Sequence, residues 1–154
     1  MSSALAYLHD SMPLTSEVST TLSVSANVAY EVFADAAETP RWLPLVQTAK
    51  IITLHEDGRP NRVGFSAKLD RGAVAYSLDY SYDPKNLCVT WRNLSSSSMI
   101  LSGEARFVHL SSRASLMLYR LDVDQPIGQW DEQADGHLAS AVVAEFREHL
   151  RRLC

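Results

Sequence analysis

Hydrophobic and polar positions alternate along most of this chain, and the spacing becomes helical in only a few places. From residue 46 onward, short alternating runs are separated by turn residues every ten positions or so, which is typical of an antiparallel meander. We predict six strands there, after a first strand at 18–24: 47–55, 62–69, 74–82, 87–93, 99–109 and 114–123. The pattern therefore predicts one seven-stranded antiparallel sheet.

Two short helical segments are expected between the first and second strands. Ser25 or Asn27 supplies an N-cap, and apolar residues follow at helical spacing. Pro40 should stop this helix. Pro40 and Pro44 then bracket a second short helix or turn, since proline is tolerated in a first helical turn.

The end of the chain predicts a long helix over residues 131–153, with one apolar stripe formed by Leu138, Val142, Phe146, Leu150 and Leu153. This stripe must be covered, and the largest apolar surface available is the concave side of the sheet. We therefore predict an α+β helix-grip fold, in which a curved sheet wraps around the C-terminal helix and leaves space beside it. We expect residues 18–154 to form a single helix-grip ligand-binding domain, preceded by a leader at 1–17.

Charge and composition narrow the classes of partner. A chain of 154 residues suits one domain. Its formal net charge of -4 argues against a nucleic-acid surface, because such surfaces neutralise phosphates with Lys and Arg. No run approaches the ~20 apolar residues that a membrane span needs, so stable membrane insertion is not expected.

The two cysteines, Cys88 and Cys154, lack metal-type spacing. They indicate neither a disulfide framework nor a metal site, and they favour a reducing, cytoplasmic location. The sequence also lacks a Ser-His-Asp set, a P-loop and a dinucleotide-binding glycine pattern. We therefore predict no cofactor and assign no catalytic residue.

Alternation assigns one face of each strand to the interior. Pockets are mainly apolar with a few placed polar groups, so this face predicts a chamber for a flat or polycyclic hydrophobic ligand, with tyrosine hydroxyls as the polar groups. The alternative is a filled core with tyrosine tips at its rim. The candidate ligand-binding residues are Trp42, Phe65, Ala67, Leu69, Tyr76, Leu78, Tyr80, Val89, Trp91, Leu101, Ala105, Phe107, Met117, Tyr119, Leu121, Leu138, Val142 and Phe146.

Four charged residues of the last two strands, Glu104, Arg106, Arg120 and Asp122, alternate out of phase with the apolar positions. They are expected to form cross-strand ion pairs on the outer surface of the sheet.

The predicted element order resembles that of the SRPBCC or START-like superfamily, in particular the bacterial polyketide cyclase/dehydrase and coenzyme Q-binding branch. The residues that carry the resemblance are Val28, Val32, Phe33, Ala34, Asp35, Arg41, Trp42, Leu43 and Pro44. The run from Gly103 to Phe107 is similar to the glycine-x-aromatic-x-aromatic strand of that branch. Ala105 stands where a Trp is common, a departure expected to enlarge the cavity.

The resemblance implies binding of lipids, sterols, quinones or polyketides inside the fold, with cyclisation, aromatisation or hydrolysis in a minority of members. Fold alone does not choose among these. The leading hypothesis is a carrier or sensor of a hydrophobic small molecule, acting as a monomer or weak homodimer. The competing hypotheses are a polyketide cyclase or aromatase that orients an enolate with Tyr76, Tyr80 or Tyr119, and an interaction module acting on a chaperone or ribosome.

Overall fold

The computed structural model describes residues 14–69, 72–93, 100–124 and 132–153, and the structural statements below concern these ranges. Both the predicted strands and the predicted helices are confirmed, with boundaries that move by a few residues. The elements in chain order are β1 Leu14–Leu22, α1 Ala26–Ala34, a 3₁₀ turn Ala36–Glu38, α2 Thr39–Trp42, β2 Val46–Leu54, β3 Pro60–Leu69, β4 Gly72–Asp83, β5 Cys88–Arg92, β6 Ile100–Ser111, β7 Ala114–Asp124 and α3 Glu132–Leu153.

Within the described ranges the strands form one antiparallel sheet of seven, in the order β1-β7-β6-β5-β4-β3-β2. Strands β2 to β6 each pair with the next strand along the chain, whereas β1 pairs with β7. The segment holding α1 and α2 therefore has to carry the chain from one edge of the sheet to the other. Along this route α1 packs against β5, β6 and β7.

Helix α1 is capped by Ser25, whose Oγ accepts a 3.3 Å hydrogen bond from the Val28 amide. The structure thus selects Ser25 over Asn27 as the N-cap. An N-cap of this kind satisfies one of the amides that a helix leaves unpaired in its first turn. Pro40 lies in the first turn of α2, as the sequence predicted.

The β2–β3 hairpin turns at Gly58, whose φ of 88° suits a residue without a Cβ. Next to it, the Arg59 guanidinium lies 5.3 Å from the ring centroids of both Tyr30 and Tyr82. It also forms a 2.7 Å ion pair with Glu31. These contacts fasten the hairpin to α1.

The core occupies the space between the concave face of the sheet and the helices. On α3, the buried stripe includes Val142, Phe146 and Leu150. Leu153, predicted to share this stripe, is 58% exposed. That part of the prediction is wrong because the last turn of α3, which also carries two arginines, is exposed to solvent.

The outer face of the sheet carries the predicted ion pairs. Glu104 lies 3.2 Å from Arg120 and 3.7 Å from Arg106, and Arg120 lies 3.1 Å from Asp122. This confirms the phase of the alternation in β6 and β7. None of the helices within the described ranges is both long and apolar enough to cross a membrane.

Candidate ligand-binding cavity

A cavity of about 100 Å³ lies between the sheet and the helices. Among the described residues that line it, every one is aliphatic, aromatic or hydroxyl-bearing, and none carries a charge. The lining consists of Phe33, Thr39, Trp42, Leu43, Leu45, Val46, Phe65, Tyr76, Leu78, Tyr80, Trp91, Leu101, Tyr119, Leu121, Leu138 and Val142. The site is therefore apolar, with hydroxyl and indole groups as its polar side-chain groups.

The structure brings eleven of the predicted site residues together around this cavity: Trp42, Phe65, Tyr76, Leu78, Tyr80, Trp91, Leu101, Tyr119, Leu121, Leu138 and Val142. Six others do not line it and are buried in the packed core instead: Ala67, Val89, Ala105, Phe107, Met117 and Phe146. The side chain of Leu69 lies outside the described residues. Alternation thus identified the inward face, although only part of that face borders the cavity.

Five lining residues were not among the predicted site residues: Phe33, Thr39, Leu43, Leu45 and Val46. They come from α1, α2, the connection into β2 and the first residue of β2, where strand alternation gives little guidance. The dense apolar run from Trp42 to Val46 was the available signal, since such a run is rarely left in water.

Aromatic rings form a continuous wall on the sheet side of the cavity. Tyr76 stacks on Phe65 with ring centroids 5.4 Å apart, and Tyr80 lies 6.4 Å from both Phe65 and Trp91. Trp91 lies 5.6 Å from Tyr119. These spacings fall within the range of attractive aromatic pairs. The wall runs across β3, β4, β5 and β7.

Gly103 on β6 determines where the Trp91 indole lies. A Cβ at Gly103 would collide with that indole and would sit 2.7 Å from the Arg120 carbonyl oxygen. The absent side chain therefore lets Trp91 lie against β6. Ala105, two residues later, is fully buried and does not line the cavity. The expected enlargement at Ala105 is absent because the open space lies beside Trp91 instead.

Phe33 of α1 closes the cavity on the side of the packed core. Its ring centroid lies 5.7 Å from that of Trp91 and 6.1 Å from that of Trp42, both of which line the cavity. On its other side it lies 5.8 Å from Phe107 and 5.3 Å from Phe146. Phe33 thus marks the boundary between open and filled interior.

Burial raises the pKa of Tyr76 to about 12. It also raises the pKa of Tyr80 well above its ordinary value, and the neighbouring Tyr76, Tyr82 and Tyr119 add to that increase. Both hydroxyls consequently stay protonated near neutral pH. Neither is hydrogen-bonded to another described residue, whereas the Tyr82 hydroxyl donates to the Pro60 carbonyl oxygen at 2.7 Å.

His149 stacks on the outer side of Trp42, with ring centroids 6.4 Å apart. Burial, together with Arg152 and Arg41, lowers the pKa of this histidine. Near neutral pH the ring is therefore neutral and packs as an aromatic group. Within the described ranges, no cluster of three or more His, Cys, Asp or Glu side chains could hold a metal ion.

Comparison with known proteins identified one matching family. The model of the family described as polyketide cyclase / dehydrase and lipid transport matches residues 13–154. No curated protein matches the chain.

Three solved structures illustrate the shared fold. A START superfamily protein from Mycobacterium smegmatis is 14% identical, with a TM-score of 0.83 over 91% of this chain and 99% of that one. The Zhui aromatase/cyclase from Streptomyces sp. R1128 is 16% identical, with a TM-score of 0.76 over 91% and 94%. Ginseng major latex-like protein 151 from Panax ginseng is 15% identical, with a TM-score of 0.65 over 88% and 97%. The START-like helix-grip fold is thereby confirmed, and the chain belongs to the polyketide cyclase/dehydrase and lipid transport family.

Proposed function

We propose that this protein binds a hydrophobic small molecule between the sheet and α3, as a carrier or sensor. The observation that supports this most directly is a cavity whose described lining holds no charged group. Membership of a family described by cyclase, dehydrase and lipid transport functions agrees with an apolar ligand. The candidate ligands are lipids, quinones and polyketide-like aromatic molecules.

Affinity would come mainly from removing apolar surface from water, at about 25 cal/mol per Å². The cost of ordering the ligand and the groups that close around it reduces this gain. Leu138 and Val142 place α3 directly against the cavity. The helix that completes the fold therefore also forms one wall of the site.

Native mass spectrometry of freshly purified protein tests this proposal, and a co-purifying apolar adduct released by organic solvent is expected. Uptake of a hydrophobic fluorescent probe gives a second readout. Val142→Asp should abolish uptake because it places a charge in the cavity wall. Ala144→Asp, the same change at an exposed position of α3, should leave uptake intact. Equal uptake by the wild type and Val142→Asp would refute the proposal.

A polyketide cyclase or aromatase is the second candidate, favoured by the family description and by structural similarity to the Zhui aromatase/cyclase. The protonated hydroxyls of Tyr76 and Tyr80 could donate hydrogen bonds to a developing enolate, although they cannot serve as bases near neutral pH. Incubation with a poly-β-keto substrate should then give product, with a loss of rate in Tyr80→Phe. No product above background would remove this candidate.

The cytoplasmic location and the monomeric or weakly dimeric state remain predictions from the sequence. Analytical ultracentrifugation of the purified chain checks the second of these.

A further inference from the structure

The lining of the cavity restricts the charge of the ligand as well as its hydrophobicity. No lysine, arginine, histidine, aspartate or glutamate is among the described lining residues. A carboxylate or ammonium group entering this space would lose its hydration without gaining an opposite charge. Such transfers are strongly unfavourable. The part of the cavity that these described residues line therefore suits an uncharged group.

Two tyrosine hydroxyls on β4 indicate that the ligand carries a hydrogen-bond acceptor. Tyr76 and Tyr80 both line the cavity, and no hydrogen bond joins either hydroxyl to another described residue. Each can therefore donate its proton to a ligand oxygen. The Tyr82 hydroxyl, on the same strand and outside the cavity, is already engaged with Pro60. Tyr76 and Tyr80 thus offer two hydroxyl donors to an acceptor group.

The volume limits the size of the ring system. Cavities for drug-sized ligands usually measure roughly 300–1,000 Å³, whereas this cavity holds about 100 Å³. An apolar protein cavity of about 150 Å³ accommodates benzene. Because this cavity is smaller than that benzene site, its lining has to move slightly even for one aromatic ring and much further for a fused ring system.

We infer that the cavity selects an uncharged, single-ring aromatic molecule with a hydrogen-bond acceptor, such as a ketone, quinone or phenol oxygen, and that the hydroxyl of Tyr76 or of Tyr80 donates to this acceptor. The inference rests on the proposed function and specifies its ligand class. The faces of the ligand's ring would pack against the aromatic wall of the cavity, which includes Phe65, Tyr80 and Trp91.

Isothermal titration of the whole chain with four probes tests this inference. Acetophenone carries the acceptor, ethylbenzene lacks it, benzoate adds a charge, and 2-acetylnaphthalene adds a second ring. Acetophenone is expected to bind about two- to tenfold more tightly than ethylbenzene, the usual effect of one net hydrogen bond. Benzoate should bind about a hundredfold more weakly or not at all. The two-ring ketone should bind more weakly than acetophenone.

Conservative variants assign the preference to individual hydroxyls. Tyr80→Phe or Tyr76→Phe should lower acetophenone affinity by about two- to tenfold and leave ethylbenzene affinity unchanged, because the ring remains. Tyr82→Phe is the matched control, since it removes a hydroxyl outside the cavity. It should leave the affinities of all four probes unchanged.

Failure of the inference is distinguishable from failure of the proposed function. Benzoate binding as tightly as acetophenone, a two-ring ketone binding more tightly, or Tyr80→Phe and Tyr76→Phe both without effect would overturn the inference. So would uptake of a large hydrophobic fluorescent probe with no binding of acetophenone, an outcome that keeps the proposed function. If neither the large probe nor any of the four small probes binds, both are refuted.

Discussion

The concave face of the sheet has two regions that follow the same alternation and differ in how they are covered. In one, which we call the packed region, Val89, Ala105, Phe107 and Met117 are each 2% exposed or less and do not line the cavity. In the other, the cavity region, inward residues of the same strands, such as Trp91 and Leu121, border open space.

The helices account for this difference. Helix α1 packs against β5, β6 and β7, and its Phe33, together with Phe146 of α3, contacts Phe107 in the packed region. Over the cavity region, α3 presents Leu138 and Val142, which do not fill the space. The sheet thus supplies one continuous apolar face, and the helices determine which part of it is left open.

The largest effect should follow from removing a ring in the packed region. Phe146 is fully buried against Phe33, Trp42 and Phe107. Phe146→Ala should lower the free energy of unfolding by about 3–5 kcal/mol, through lost burial and a new void. Val142→Ala, on the same helix beside the existing cavity, should cost no more than about 2 kcal/mol. Urea denaturation measures both, and equal losses would contradict the division into two regions.

Replacing a small side chain by a larger one should destabilise the packed region and should be tolerated in the cavity region. Ala105→Leu places extra atoms where Ala105 is fully buried and should cost about 1–3 kcal/mol of unfolding free energy. Val142→Phe places more atoms beside the cavity, so its cost should stay within about 1 kcal/mol while probe uptake is lost. Denaturation and probe titration check both variants. A Val142→Phe variant with full uptake would contradict the account.

A smaller effect is expected at His149, where the pKa in the folded protein is lowered by burial and by Arg152 and Arg41. Below the unfolded-state pKa of about 6.5, the unfolded chain binds a proton more readily than the folded one. Stability should therefore fall as pH drops below that value, until the folded-state pKa is reached. Urea midpoints between about pH 7.5 and pH 5 should fall less steeply in His149→Gln. Identical slopes would show that His149 does not contribute.

Most of the fold could be predicted from the sequence, because alternation and turn residues act locally. Asp57 and Gly58 predicted the β2–β3 turn, and the phase of Glu104 and Arg120 predicted the outer face. The boundary of the cavity could not be predicted in this way. Met117 and Leu121 have the same position in the alternation, and they differ only in what lies opposite them. The segments that lie opposite these two residues are distant from them in the sequence.

The structure of a crystal equilibrated with pressurised xenon tests the central claim most directly, since xenon enters apolar cavities that remain dry. The account predicts xenon density among Trp91, Leu121 and Val142, and none beside Ala105 or Met117. A crystal without xenon in the cavity region, or with xenon in the packed region, would contradict it.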